Sequence, residues 1–337
     1  MKRPIRGCLL RLSLVAGVVF LLTGCGSSSS GSGSGGSASA GSSGSHSATT
    51  VQFGYVPYAD DGPLFLGLQK GFFSARGLDV KPVPEVSPTP VVANLVSGQQ
   101  QFGFVTTNVL VNAVSHGVPI KCVSTVDGDQ SPSAAADSSV LLAAPGSGIS
   151  SIAQLQNKTV AVVQLNSLNS VDVQESVANV GGDPNSVHLT SLPFAQMPQA
   201  LKSGRVAAAM VVSPFSATAL KEGARPIAYP NSSLFPNGTI TCIAASASYI
   251  QSHAQQVKSW QAAINQSAQY AKAHLPAARA TLTHYLSLSP TAAAHAVLST
   301  NWDTSVNTAS VQKQETLLKK FGALSTIVPV GKLFYSP

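Results

Sequence analysis

The sequence predicts an α/β protein of two lobes with like architecture, each built on a mostly parallel sheet covered by helices. Three observations predict it. Short apolar runs alternate with helical stretches from Val51 to Val212. The alternation carries an internal repeat: LVSGQQQFGFVTT (Leu95–Thr107) aligns with LKSGRVAAAMVVS (Leu201–Ser213), and Leu, Ser and Gly match. The 337 residues are 44% hydrophobic and only 10% charged, which is ample apolar material for one large core or two modest ones.

The elements follow in order. Val51–Val56 reads as a buried strand. Pro63–Ala75 reads as a helix, because Pro63 suits a first turn, Leu64, Leu68 and Phe72 share a face, and Gly77 ends it. Leu78–Val83 is a strand, Pro90–Ser97 a helix closed by Gly98, and Phe102–Val105 a strand. Asn108–Ser115 is a helix closed by Gly117, followed by strand Ile120–Val126. The pattern repeats with strand Thr159–Val163, helix Val171–Val180 and strand Val187–Leu192. Gln199–Ser203 closes a helix before strand Val206–Val212. Ala247–Ala273 is helical, with Val257, Trp260, Ile264, Ala268 and Ala271 on one face. Further helices fill 276–322 and pack on an existing lobe.

The N-terminus reads as an address. Lys2, Arg3, Arg6 and Arg11 precede an apolar run, Leu12 to Leu22, that is short for a membrane span. Leu22-Thr23-Gly24-Cys25 resembles the lipobox of bacterial lipoproteins, which implies that Cys25 is lipidated and becomes the new N-terminus. Two or three acyl chains would hold it stably, at about 0.8 kcal/mol per buried methylene. In residues 26–49, 12 Ser and 7 Gly form a flexible tether. Its Gly31, Gly33 and Gly36 match a dinucleotide fingerprint in spacing only, since no strand precedes them.

Charge and cysteine counts change meaning once this segment is set aside. The formal charge of +7 falls to +3 from Cys25 on, with 16 basic and 13 acidic residues, which argues against a nucleic-acid partner. Cys122 and Cys242 are the two cysteines left in the folded part. In an oxidising compartment they pair or remain buried thiols.

The catalytic inventory is thin. The folded part has no G-x-S-x-G, P-loop, H-E-x-x-H or C-x-x-C motif. His253, His274, His284 and His295 lack the spacing of a metal pair. No cofactor and no metal is expected. The polar residues instead gather in four loops after strands, where open α/β sheets bind ligands. These loops offer Tyr58, Asp60 and Asp61; Thr106, Thr107 and Asn108; Asn166, Ser167 and Asn169; and Ser213 and Phe215. Hydroxyls and amides can hydrogen-bond a ligand, and Tyr58 and Phe215 can stack on it. Asn108, Ser170 or Asp60 alone serves equally well as a helix cap. Four loops, two from each half, favour a shared cleft.

GYVPYADDGPLFLGLQKGFFSARGLDVKPVP (Gly54–Pro84) and Leu95–Ser124 resemble the substrate-binding proteins of ABC importers. The similar group is the nitrate/sulfonate/taurine and thiamine-precursor family. The similarity continues through Ser151–Val162, Met197–Phe215 and Ser248–Ala271. It implies a type II periplasmic-binding-protein fold, two α/β lobes joined by crossing strands near Val140–Ala144 and Thr239–Ala245. The implied layout is residues 1–24 as signal peptide, 25–49 as lipidated Cys and tether, 50–140 with 238–337 as lobe I, and 141–237 as lobe II. In that topology the return strand lies beside the fourth strand, which implies a Cys122–Cys242 disulfide.

The function this implies is an extracytoplasmic, lipid-anchored, monomeric solute receptor. It would pass a small organic molecule to an ABC permease and its ATPase, with no reaction of its own. Two other readings share the resemblance: a ligand sensor for a membrane receptor, and an enzyme like the thiamine-pyrimidine synthases, which use a His that the four loops lack. Where family members often carry Asp, this chain has Gln101 and Ala207. The Asp60-Asp61 pair and the lack of Arg in the loops lean toward a neutral or amine-bearing ligand.

Overall fold

In the computed structural model, which describes residues 48–125, 128–129, 137–299, 302 and 304–336, the first apolar run is strand β1 (Thr49–Tyr55). It starts one residue inside the stretch read as tether. The expected signal peptide, Cys25 and residues up to 47 lie outside the described residues.

The chain continues through α1 (Gly62–Gln69), β2 (Leu78–Pro84), α2 (Pro88–Ser97), β3 (Phe102–Thr106), α3 (Thr107–Ser115), β4 (Ile120–Ser124) and a short β5 (Gly128–Asp129). The first helix is shorter than its apolar spacing suggests. Gly71, at φ 75°, turns the chain left-handed, and a 3-10 turn follows at Ser74–Arg76.

The second series is β6 (Ser139–Ala143), β7 (Thr159–Val162), α4 (Leu168–Asn179), β8 (His188–Ser191), α5 (Met197–Lys202), β9 (Ala208–Val212), α6 (Phe215–Lys221), β10 (Arg225–Ala228) and α7 (Pro230–Leu234). The return path is β11 (Gly238–Thr239) and β12 (Thr241–Ser246). Helices α8 (Ala247–Ser252), α9 (Ala254–Ala273), α10 (Leu275–Tyr285), α11 (Pro290–Ala294), α12 (Thr308–Lys320) and α13 (Val330–Leu333) close the chain.

Two five-stranded sheets result, ordered β2-β1-β3-β12-β4 and β8-β7-β9-β6-β10. Each has a parallel trio, with β1 between β2 and β3 and β7 between β8 and β9. Each also takes one antiparallel strand from the crossing segments: β12 in the first sheet and β6 in the second. The sheets are therefore mixed, because a strand that returns from the other lobe enters against the grain. The internal repeat falls on equivalent strands, β3 and β9, each third in its sheet. The matched Gly98 and Gly204 both follow a helix in the left-handed region, at φ 77° and 68°.

The predicted apolar face of α9 is buried in full at Val257, Trp260, Ile264, Ala268 and Ala271. Trp260 stacks on Phe102 at 4.1 Å and meets Phe53 at 5.4 Å and Phe73 at 5.0 Å. The long helix read over Ala247–Ala273 is two helices. It breaks at His253, whose backbone leaves the helical region at φ −130°, ψ 41° while its ring stacks on Tyr249 at 4.4 Å.

The closing helices pack on the first sheet's side. Phe65 of α1 stacks on Tyr285 of α10 at 4.1 Å, and Tyr335 donates its amide to Cys122 O at 2.8 Å. Cys122 on β4 and Cys242 on β12 form a disulfide with Cα atoms 5.7 Å apart, within the usual span. Among the described residues, no helix is long and apolar enough to cross a membrane.

Candidate functional site

The carboxyl ends of β1, β3, β7 and β9 meet the starts of β6 and β12 around a cavity of about 60 Å³. That is room for a handful of water-sized groups. One wall comes from the first lobe, with Tyr58, Asp60, Phe104, Thr106 and Asn108. The other comes from the second, with Gln164, Ser167, Asn169, Phe194 and Asn231. Ser138, Ser139 and Thr241, at the crossings, complete the lining.

Of the eleven residues read from sequence, six line this cavity: Tyr58, Asp60, Thr106, Asn108, Ser167 and Asn169. The other five stand elsewhere. Asp61 is fully buried behind the wall, close enough to raise the pKa of Tyr58 and Tyr55. Thr107 donates its hydroxyl to Thr239 O at 3.1 Å. Asn166, in the left-handed region at φ 55°, lies on an open groove beside the cavity. Ser213 donates its amide to Ser138 O at 2.8 Å and accepts from Ala59 N at 3.2 Å, and it precedes a cis Pro214. Phe215 stacks behind Phe194, with ring centres 6.4 Å apart.

Local roles also emerge. Ser170 donates its hydroxyl to Ser167 O at 2.7 Å and accepts the Ser167 amide at 2.8 Å, so it closes the first turn of α4. The Ser167 hydroxyl donates to Gln164 O at 2.6 Å.

Sequence reasoning missed Phe194, Asn231 and the Ser138-Ser139 pair. Phe194 had a signal, since it follows strand β8 as the chosen loops follow theirs. Ser138-Ser139 directly precede the first crossing strand. Asn231, in a short helix, had none. Phe194 matters geometrically because its ring meets Tyr58 edge-on at 5.7 Å, one ring from each lobe.

The lobes touch elsewhere across the cleft. Thr89 Oγ1 donates to Gln164 Oε1 at 3.4 Å, and Lys320 Nζ pairs with Glu175 Oε2 at 2.6 Å. Leu168 and Val171 of α4 share an apolar cluster with Val311 and Leu318 of α12.

Acidic groups gather around the site. Burial pushes Asp60 up to about 6; a hydrogen bond with Ser138 and the Ser299 amide at 2.6 Å oppose this, and Asp137 adds to it. Burial, with Asp137 again adding, raises Asp172 well above the usual carboxylate range. Asp137 accepts amides from Ser139 at 2.8 Å and Ser232 at 3.1 Å. Burial also raises the Tyr58 hydroxyl, followed by Asp61. Among the described residues, no group of His, Cys, Asp and Glu is arranged to hold a metal.

Solved structures share this architecture. The ligand-binding component of an ABC-type import system from Staphylococcus aureus, with zinc bound, aligns at a TM-score of 0.72 and 15% identity. The alignment covers 85% of this chain and 96% of that one. The alkanesulfonate-binding protein SsuA from Xanthomonas axonopodis pv. citri, bound to MOPS, aligns at 0.69 and 19% identity, over 85% and 98%. The periplasmic nitrate-binding protein NrtA from Synechocystis PCC 6803 aligns at 0.60 and 16% identity, over 72% and 68%. At these identities the likeness is one of fold, that of periplasmic binding proteins with two α/β lobes joined by crossing strands. No curated protein matches the chain in sequence. The NMT1/THI5 like family matches residues 59–278, from the 3-10 turn Ala59–Asp61 that carries Asp60 through the second lobe and into α10. With most of both sheets and the whole cavity wall inside or beside that span, the chain belongs to the NMT1/THI5-like family.

Proposed function

We propose that this protein is an extracytoplasmic solute-binding component of an ABC importer, lipid-anchored through Cys25. It captures a small organic molecule between lobe I (50–140 and 238–337) and lobe II (141–237). A cavity walled by both lobes and floored by both crossings carries this reading. A ligand seated there touches both halves at once and so favours the closed arrangement over an open one. The site is complete within one chain, which fits a monomer. The neighbours named above are binding proteins, which fits a receptor with no reaction of its own.

Tyr58, Asp60, Thr106, Asn108, Ser167, Asn169 and Phe194 form the contact surface in this reading. Asp61, Thr107, Asn166, Ser213 and Phe215 shape or border it. The test is thermal unfolding of the purified full-length protein against small sulfonates, pyrimidines, flavins and amines. A ligand that binds only the folded state raises the melting temperature in proportion to the logarithm of its concentration. That rise is expected to vanish in Phe194→Ala and in Tyr58→Ala. A ligand whose effect survives both changes places the site elsewhere.

A further inference from the structure

Asp60 puts a carboxyl group on the cavity wall. None of the lining residues is Lys, Arg or His. The internal stretches outside the described set contain none in sequence either. Asp60 lines the cavity at 7% exposure, and among the described residues it joins no salt bridge. Asp172 is fully buried on α4, one turn past the cavity-lining Leu168 and Asn169, and neither of its oxygens has a hydrogen-bond partner. Asp137 lies close enough to both to act on each of them. Asp60 accepts hydrogen bonds from Ser138 and the Ser299 amide, but among the described residues it has no full counter-charge, which a cationic ligand group would supply.

A second, independent observation points the same way. Asn231 lines the cavity at 4% exposure, and its Oδ1 has no hydrogen-bond partner. An acceptor buried without a partner, in a residue that lines the cavity, is one that a ligand donor would satisfy. The rings of Tyr58 and Phe194 add negative π faces. The opposing feature is the pair of helix N-termini, α3 and α4, which favour anions. Each carries about half an elementary charge, against a full one on an ionised Asp60. The first donor of α3 is also in use, Thr107 N–H on Ile240 O at 2.8 Å.

We propose that the cleft selects a small organic cation, a protonated amine or amidine, over its neutral and anionic isosteres, with Asp60 as counter-charge and Asn231 Oδ1 as a second acceptor. This rests on the solute-binding reading above and names its ligand class. The positive group sits toward Asp60 and Asn231, and the carbon frame lies against the two rings.

The test uses the full-length protein and charge series on shared frames: benzylamine, benzyl alcohol and phenylmethanesulfonate, then butylamine, butanol and butanesulfonate. Calorimetry or thermal shift at pH 7.5 is expected to show the ammonium of each series bound at least tenfold more tightly than its partners. Asp60→Asn is expected to bring the ammonium down to the level of the alcohol. The native protein alone decides the matter if that variant fails to fold. Sulfonate or alcohol bound as tightly as ammonium, with binding lost in Phe194→Ala, overturns the cation proposal and leaves the cleft reading standing. Ammonium binding that survives Phe194→Ala and Asp60→Asn together overturns both. No ammonium binding at millimolar concentration overturns the cation proposal.

Discussion

Lys320 on α12 and Glu175 on α4 join the two lobes through a 2.6 Å ion pair on the outside of the cleft. The Glu175 side chain is mostly buried, at 13% exposure, and the Lys320 side chain is half exposed, at 49%. Water and salt therefore screen the pair, and its worth is about 0.2–1 kcal/mol. Lys320→Ala is expected to weaken any cleft ligand by up to about fivefold and to shift solution scattering toward a more open shape. The difference from wild type should shrink in high salt. Equal affinities at low salt would show that the pair does not hold the lobes together.

Asp60 gives stability a pH dependence of defined sign. Burial raises its carboxyl in the folded state from an ordinary 3.8 to about 6, so the native protein holds that proton more tightly than the unfolded chain does. Its contribution is fully present below about 3.8 and is lost as pH rises through about 6. Asp60→Asn keeps an acceptor for the Ser299 amide and removes the titration. It should stabilise the ligand-free protein at pH 7 by about 1–3 kcal/mol and flatten the melting temperature between pH 4 and 6.5. An unchanged slope in that window would mean another group sets it.

Trp260 is one of two tryptophans in the first lobe's core and is fully buried. Trp260→Ala should cost about 3–5 kcal/mol in chemical denaturation. Its Nε1 has no hydrogen-bond partner, so Trp260→Phe removes an unsatisfied donor along with volume. That change should cost about 1.5 kcal/mol or less, because the two effects oppose each other.

The Cys122–Cys242 bridge closes a long loop. Cys122→Ser with Cys242→Ser should lower stability by about 2–5 kcal/mol. Peptide mapping of unreduced, alkylated protein should recover the two cysteines as one cross-linked pair. Recovery of both as alkylated thiols would count against the bond.

Cys25→Ser should move the protein from the membrane to the soluble fraction and abolish incorporation of labelled fatty acid. Retention of both would remove the lipid anchor from the proposed function.

The order of strands and helices was legible because each has a strong period and a clear stop. Gly98 and Gly204 ended helices where expected, and the apolar stripe of α9 named its buried residues one by one. Ends governed by side-chain rings or by a left-handed residue inside a good period were not legible. Pro63–Ala75 ran past Gly71, and Ala247–Ala273 ran through His253. Half of the candidate wall was readable from the rule that ligands sit beyond strand ends. The rest depended on distance through space. Phe194 meets Tyr58 from the other lobe, Asn231 arrives on a helix with no periodic mark, and Ser138-Ser139 gain their place only when β6 and β12 cross. Thr107, between the lining residues Thr106 and Asn108, turns to backbone instead, its hydroxyl donating to Thr239 O.

Strand β12 sits between β3 and β4, so the first sheet has a gap until Ser246 has been delivered. The second sheet draws on one unbroken stretch and has every strand once Ala228 is available. A chain that emerges N-terminus first therefore has the means to finish its second lobe before its first. Until then β3 and β4 present open edges that can pair with other chains. The late strand ends that exposure, and with it the interval in which the nascent protein is most prone to aggregate.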